Sequence, residues 1–304
     1  MFQIEFQLAE QPLAGLASFP TEQPISDKSQ LSGVLAPKPV MVMLHGWQDN
    51  AASFAPMFGP LAEHFHVIAI DWPGHGLSAP RAADNFYHFV DYVDDLAQLV
   101  ELLDQPQVTL VGHSMGALVS VCYAAAFSDK VASLSLIEGL APLSEETFNA
   151  PDRLRQGIQS RQRYRARAQQ RQSRSMATFQ QALDLRCSVN DVLPEHIQPV
   201  VERAVVQRDG RWYWRHDNRL RCDSLYRMSP EHVDALISAL TCPVLSIIGQ
   251  TGYRRLKLKQ PEAQGWKQLK QVEVAGGHHC HLQCPERVAE EILLFSSKFN
   301  ALAE

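Results

Sequence analysis

The pentapeptide Gly112-His113-Ser114-Met115-Gly116 has the form G-x-S-x-G. At average glycine usage such a pattern turns up by chance in roughly one chain in ten of this length, so its setting decides its meaning. It follows the apolar run Val108 to Val111 and opens the apolar stretch Ala117 to Phe127. In that strand-turn-helix setting two glycines let the backbone bend sharply and present a serine hydroxyl; the bland alternative is a passive serine in a glycine-lined turn. A serine hydroxyl is a weak nucleophile until a base takes its proton. Of the twelve histidines, one group follows the last apolar run, in Ala275-Gly276-Gly277-His278-His279-Cys280-His281-Leu282-Gln283-Cys284-Pro285. His278 is the first candidate for the base, with His279 and His281 as alternatives, and the order serine before histidine suits a serine carried on such a turn.

Acyl transfer also builds negative charge on a carbonyl oxygen, which fixed backbone N–H groups stabilise without reorganising. Met115, directly after the serine, is one candidate donor. The other is Trp47 in Leu44-His45-Gly46-Trp47-Gln48-Asp49-Asn50, where Gly46 permits close approach. His278, His279, Cys280, His281 and Cys284 could instead be read as metal ligands. Their spacing matches no common zinc pattern and no second cluster completes it, so neither a metal nor a cofactor is expected, and the two cysteines read as small packing residues.

Buried parallel strands must hold these groups. Val40 to Leu44, Val67 to Ile70, Val108 to Val111, Leu134 to Ile137, Val244 to Ile248 and Val272 to Ala275 are short, continuous and apolar. Between them, Val90, Val93, Leu96, Ala97, Val100 and Leu103 recur at helical spacing, and Pro285 opens a closing helix whose inner face is Val288, Ile292, Leu293 and Phe295. Strand and helix alternate, which predicts a doubly wound, mostly parallel α/β sheet. The alternating residues of Phe2 to Leu8 and Leu13 to Phe19 predict an antiparallel hairpin at its edge. The alternation stops for about a hundred residues, too many for a plain connection. Residues 139–240 are therefore expected to form an inserted, mainly helical cap on a core made of 1–138 and 241–304. Within the cap, Asp209-Gly210 between β-prone flanks predicts a hairpin, and no internal repeat is visible.

With 45% hydrophobic and 20% charged residues the chain has the balance of a globular protein. A net charge of -5 argues against a general nucleic-acid binder. The N-terminus lacks the pattern of a secretory signal, and no apolar stretch approaches the roughly 18 residues of a membrane span. A cytoplasmic location is the resulting expectation, with the six scattered cysteines reduced.

His45-Gly46-Trp47, Asp71-Trp72-Pro73-Gly74-His75-Gly76-Leu77-Ser78, the pentapeptide around Ser114 and Gly277-His278 through Pro285 together resemble the α/β-hydrolase superfamily over nearly the whole chain. More narrowly, L-H-G-W-Q-D-N-A-A-S-F and the stretch from Arg208 through Trp214 to Asp217 are similar to the serine hydrolase-like proteins. The resemblance implies an α/β-hydrolase fold, makes His278, seven residues before Pro285, the base, and makes Asp71 a structural turn residue. One departure matters. The family's usual G-x-x-D acid is replaced by Gly249-Gln250-Thr251-Gly252, with no carboxylate between Leu245 and Gln260. A second arrangement, similar to that of haloalkane dehalogenases, places the acid at the end of the strand ending Leu136-Ile137 and implies Glu138. Asp217 and Asp223 are rivals from the cap. Dehalogenation is excluded by Ser114, since that chemistry needs an aspartate there.

From Arg153 to Arg174 there are eight arginines and no acid. They read as a solvated helix or one paired with core acids, or, through Arg161 and Arg165, as a site for an anionic substrate. Trp212 and Trp214 divide likewise between cap core and pocket lining. The expected function is hydrolysis of a small-molecule carboxylic ester or thioester through an acyl-serine. The competing expectations are a C–C bond hydrolase or lyase on the same scaffold, and a non-catalytic binding protein.

Overall fold

Continuous apolar runs become strands here because helices cover the sheet on both sides, leaving no face for polar residues. The computed structural model describes all of the chain except residues 10, 23, 170–174, 260, 262, 263 and 301–304; Arg171 and Arg174 of the arginine run lie outside the described residues. In chain order the strands are β1 (Phe2–Gln7), β2 (Pro12–Ala17), β3 (Val40–Leu44), β4 (His66–Ile70), β5 (Val108–His113), β6 (Val131–Ile137), β7 (Val205–Arg208), β8 (Arg211–Trp214), β9 (Val244–Gly249) and β10 (Leu269–Val274). Eight of them form one sheet in the order β1-β2-β4-β3-β5-β6-β9-β10, and β7 with β8 forms a separate hairpin. β1 and β2 are antiparallel to each other and β2 to β4, whereas β4, β3, β5, β6, β9 and β10 run parallel.

Side chains alternate between two cores, as the two-residue period of a strand requires. Val40, Val42 and Leu44 enter one apolar cluster with Leu96, Leu99, Val119 and Leu134. Met41 and Met43 enter the other with Val111, Ile247, Val288 and Ile292. The expected run Val272 to Ala275 begins three residues earlier as strand, at Leu269, and ends at Val274. β10 is an edge strand whose side chains are only partly buried, so polar Lys270 and Gln271 sit in it and hide it from a search for apolar runs.

Register fixes the functional end of the sheet. Leu44 pairs with Gly112, His113 with Ile137, Ile137 with Ile247 and Gly249 with Val274. The carboxyl ends of five strands therefore stand in a row, where ligands gather in open α/β sheets.

Between β6 and β9 the chain forms the helices Ala150–Gln169, Phe179–Asn190, Pro194–Ala204 and Pro230–Ala239 and the β7–β8 hairpin. Met176, Ala182, Leu183, Ile197, Val200, Val201 and Val205 make a small core of their own. The helix Pro230–Ala239 instead packs Val233 and Ile237 into the main core. Among the described residues no helix is long and apolar enough to cross a membrane, and all six cysteines are free.

Candidate active site

Ser114 joins β5 to the helix Met115–Ala126 with φ 50 and ψ -115. A non-glycine residue there costs on the order of 1–3 kcal/mol and persists only where its surroundings hold it. Here the Ser114 N–H donates to the Ile137 carbonyl at 2.9 Å, while the Ser114 carbonyl accepts from Ala117 at 3.0 Å. The turn also presses the helix start against β3. A Cβ on Gly116 would lie 1.9 Å from the Leu44 carbonyl oxygen, so only glycine fits. The serine itself stays partly open to solvent.

Glu138 ends β6 one strand away, also at positive φ (47°). Its side chain is fully buried and holds three groups together. Oε1 accepts from Gly249 N–H at 2.7 Å, Oε2 accepts from Tyr253 N–H at 3.1 Å, and Oε2 lies 3.4 Å from His278 Nδ1. Burial pushes the Glu138 pKa up, but the His278 contact and the two backbone donors outweigh it and leave the carboxyl below its ordinary value. The loop from Gly249 to Tyr253, which carries no acid of its own, thus becomes the clamp for an acid from the neighbouring strand. Gly252 is required by that clamp, because a Cβ there would lie 2.0 Å from Oε1.

The loop after β3 approaches the serine from the other side. The position of a Cβ on Gly46 is only 3.1 Å from the Ser114 Cβ. His45 sets this loop. Its Nε2 accepts from Trp72 N–H at 3.0 Å, so its Nδ1 carries the proton and donates to the Gly46 carbonyl at 2.7 Å. Burial drops its pKa to about 3, which keeps the ring neutral. Trp47 packs edge-on against His75 and Tyr92. Met115 is the first residue of its helix, where a backbone N–H has no partner within the helix.

The other histidines of the segment take different places. His281 is completely buried with Nε2 2.6 Å from Ser53 Oγ, and His279 is buried with Nε2 3.9 Å from Asp49 Oδ2. Only His278 meets Glu138. Cys284 donates its thiol to the Ala275 carbonyl at 3.0 Å and Cys280 is buried in the second core. Three participants were not found from sequence. His113 Nε2 donates to the His278 carbonyl at 2.8 Å, tying the His278 loop to the serine turn. Asp49 is buried beside His279, and Arg186 from the helix Phe179–Asn190 reaches it at 3.5 Å. His113 and Asp49 lie inside motifs already quoted, yet nothing in their spacing separates them from passive neighbours.

The remaining candidates lie in the segment between β6 and β9. Asp217 pairs with Arg219 and accepts from the Tyr87 hydroxyl at 2.9 Å, and exposed Asp223 stands 3.9 Å from Arg163; neither contacts His278. Arg161 lies over the Phe86 ring at 4.2 Å and reaches His88 Nε2 at 3.3 Å, and Arg165 lies 5.4 Å from the same ring. Trp212 exchanges backbone hydrogen bonds with Met176 and meets Phe179, and with Trp214 it packs against the insertion's small core. None of these contacts involves Ser114, His278 or Glu138.

Comparison with known proteins gives a consistent picture. The family model described as alpha/beta hydrolase fold matches residues 39–284. A serine hydrolase-like protein of Danio rerio is 30% identical over 276 residues, covering 88% of this chain and 84% of that protein. A 2-(acetamidomethylene)succinate hydrolase of Mesorhizobium japonicum is 38% identical over 112 residues, 37% of this chain and 40% of the relative. Among solved structures, a hypothetical protein of Pseudomonas aeruginosa PAO1 superposes with a TM-score of 0.83 at 27% identity, covering 98% of this chain and 99% of that one.

Proposed function

This chain belongs to the alpha/beta hydrolase fold family, and from that membership we propose that it is a serine hydrolase cleaving a carboxylic ester or thioester through an acyl-serine intermediate. The observation that carries the reading is the buried Glu138 carboxylate, clamped by Gly249 and Tyr253 and facing His278 Nδ1 at 3.4 Å. With its proton on Nδ1, the imidazole offers a bare Nε2 to the Ser114 hydroxyl. Ser114 Oγ attacks the carbonyl carbon, its proton passes to His278 Nε2, and Glu138 stabilises the imidazolium that forms. The 3.4 Å separation is at the outer limit of hydrogen bonding; such contacts tighten as charge develops. The N–H groups of Met115 and Trp47 receive the oxyanion. His278 then protonates the leaving alkoxide or thiolate, and water repeats the sequence in reverse roles to release the acid.

In this reading residues 139–240 cap the site, and the substrate enters between the insertion and the strand ends. The Danio rerio relative named serine hydrolase-like protein, matched over 84% of its length, supports the reaction class. A test is to mix the protein with a panel of p-nitrophenyl esters and acyl thioesters and follow the intact mass. The reading requires turnover of at least one member and, in the His278→Gln variant, a reaction slowed by orders of magnitude. Equal turnover by both proteins would remove it.

A further inference from the structure

Beside His278 lies a cluster of buried polar side chains that the reaction does not use. Asp49, His113 and His279 each offer a ligand atom within 4.8 Å of the others, and all three residues are buried. Asp49 is 4% exposed, His113 1% and His279 7%. His113 Nδ1 and His279 Nδ1 lack a hydrogen-bond partner, and the Asp49 carboxylate makes no well-aligned bond, having only the Ser53 hydroxyl and the Asn50 N–H beside it. Leaving such atoms dry and unpaired is costly, so the arrangement calls for an occupant. Arg186 answers only in part. Its Nη2 stands 3.5 Å from Asp49 Oδ1, while Oδ2 turns toward His279 Nε2 at 3.9 Å.

Tautomer and orientation narrow the occupant. His113 Nε2 must carry a proton to donate to the His278 carbonyl at 2.8 Å, which leaves Nδ1 as a bare lone pair. That atom is directed at the turn bearing Asp49, since a Cβ on Gly46 would lie 3.0 Å from it. A histidine that ligates through one nitrogen and donates the other N–H to a backbone carbonyl has the outer-shell bonding of a metal ligand. Two imidazoles and one carboxylate suit a borderline divalent ion rather than magnesium or calcium, which prefer all-oxygen shells.

We propose that Asp49, His113 and His279 form a buried site for a divalent transition-metal ion, zinc foremost, with the remaining coordination open to water. Bonds of about 2.0–2.2 Å would draw the donors closer together than they now stand, and Asp49 would bridge the ion and Arg186. The ion would lie beside the base, since the His113 and His279 rings are centred 4.8 Å and 5.1 Å from that of His278. Metal binding does not rest on His278 being the base, so this proposal and the proposed function fail separately.

The test uses the full chain stripped of metal by chelator, titrated with zinc chloride in a calorimeter and with cobalt chloride in a visible spectrophotometer. The expected result is one saturable site per chain and the strong visible bands of four- or five-coordinate cobalt. Asp49→Asn and His279→Gln should each weaken binding by roughly tenfold or more, whereas His64→Gln, at an exposed histidine, should not. Absence of a one-to-one site in the wild-type protein overturns the proposal whatever the variants do, and leaves water as the occupant. Retention of full affinity in folded Asp49→Asn and His279→Gln overturns it too, and marks the zinc as adventitious.

Discussion

The row of strand ends and the seam between sheet and insertion treat buried charge in opposite ways. Along the seam each buried arginine meets a carboxylate. Arg203 Nε donates to Asp71 Oδ1 and Oδ2 at 3.0 Å and 2.9 Å, and Asp71 also accepts from the Ala51 and Leu77 N–H groups. Arg219 pairs with Asp217 and donates to the carbonyls of Arg81, Ala82 and Asn85. At the strand ends, ring nitrogens of His113, His279 and His281 stay unpaired, Asp49 meets its Arg186 cation only at 3.5 Å, and Glu138 faces an imidazole. Paired charges hold two pieces of structure in one geometry. Charges left facing titratable or empty partners are available for chemistry, and perturbed groups collect where chemistry is done.

The comparison breaks first if the two kinds of carboxylate prove interchangeable. Glu138→Gln should lower turnover by roughly 10³- to 10⁴-fold and cost about 1–3 kcal/mol of stability, because the amide oxygen keeps one of the Gly249 and Tyr253 donors while the amide nitrogen faces the other. Stopped-flow or steady-state hydrolysis checks it; near-wild-type turnover would move the acid elsewhere. Arg203→Ala should behave in reverse. It leaves Asp71 buried without its cation, which costs about 3–5 kcal/mol of stability, read from denaturant unfolding, with turnover of the folded protein within a few-fold of wild type.

A finer test aims at the clamp. Gly252→Ala forces a Cβ against Glu138 Oε1, and displacing a catalytic group by about an ångström can cost around 10²-fold in rate. Turnover should fall by that order at unchanged substrate affinity, and an unaffected rate would show that Glu138 need not be held. The last test is on pH. Burial lowers the pKa values of His45, His75, His113, His279 and His281, to about 3 for His45 and His279. These rings bind protons in the unfolded chain but not in the folded one, so stability is full above their ordinary value near 6.5 and falls as pH drops below it. Each contributes about 1.4 kcal/mol per pH unit in that window. Burial raises Asp49, and raises Asp95 to about 7 despite its Arg81 partner; these two act in the opposite direction but are outnumbered. Unfolding at pH 7.5 and 5.5 should therefore show a clear loss on acidification; equal stability would mean that the histidines are solvated.

The sheet was readable in the sequence because continuous apolar runs have one inexpensive fate, burial between two helical layers. Ser114 was readable because its turn needs glycines at fixed offsets. Glu138 was reached through resemblance and the absence of an acid after Gly249. The structure supplies the physical counterpart, since backbone donors from that acid-free loop hold the neighbouring strand's carboxylate. Asp49, His113 and Arg186 were not readable as a group. They come from three separate segments, and no local spacing records that register and the insertion's packing bring them together. The arginine run gave a charge pattern without partners; Phe86, His88 and Asp223 became visible as partners only in three dimensions.

The central claim is that Ser114 is a nucleophile activated through His278. Fluorophosphonate labelling followed by peptide mass spectrometry tests it most directly. The account predicts a single adduct on Ser114, lost in Ser114→Ala and slowed in both His278→Gln and Glu138→Gln, with all three variants folded. An adduct on another residue, or a Ser114→Ala variant that still hydrolyses esters at the wild-type rate, would contradict it.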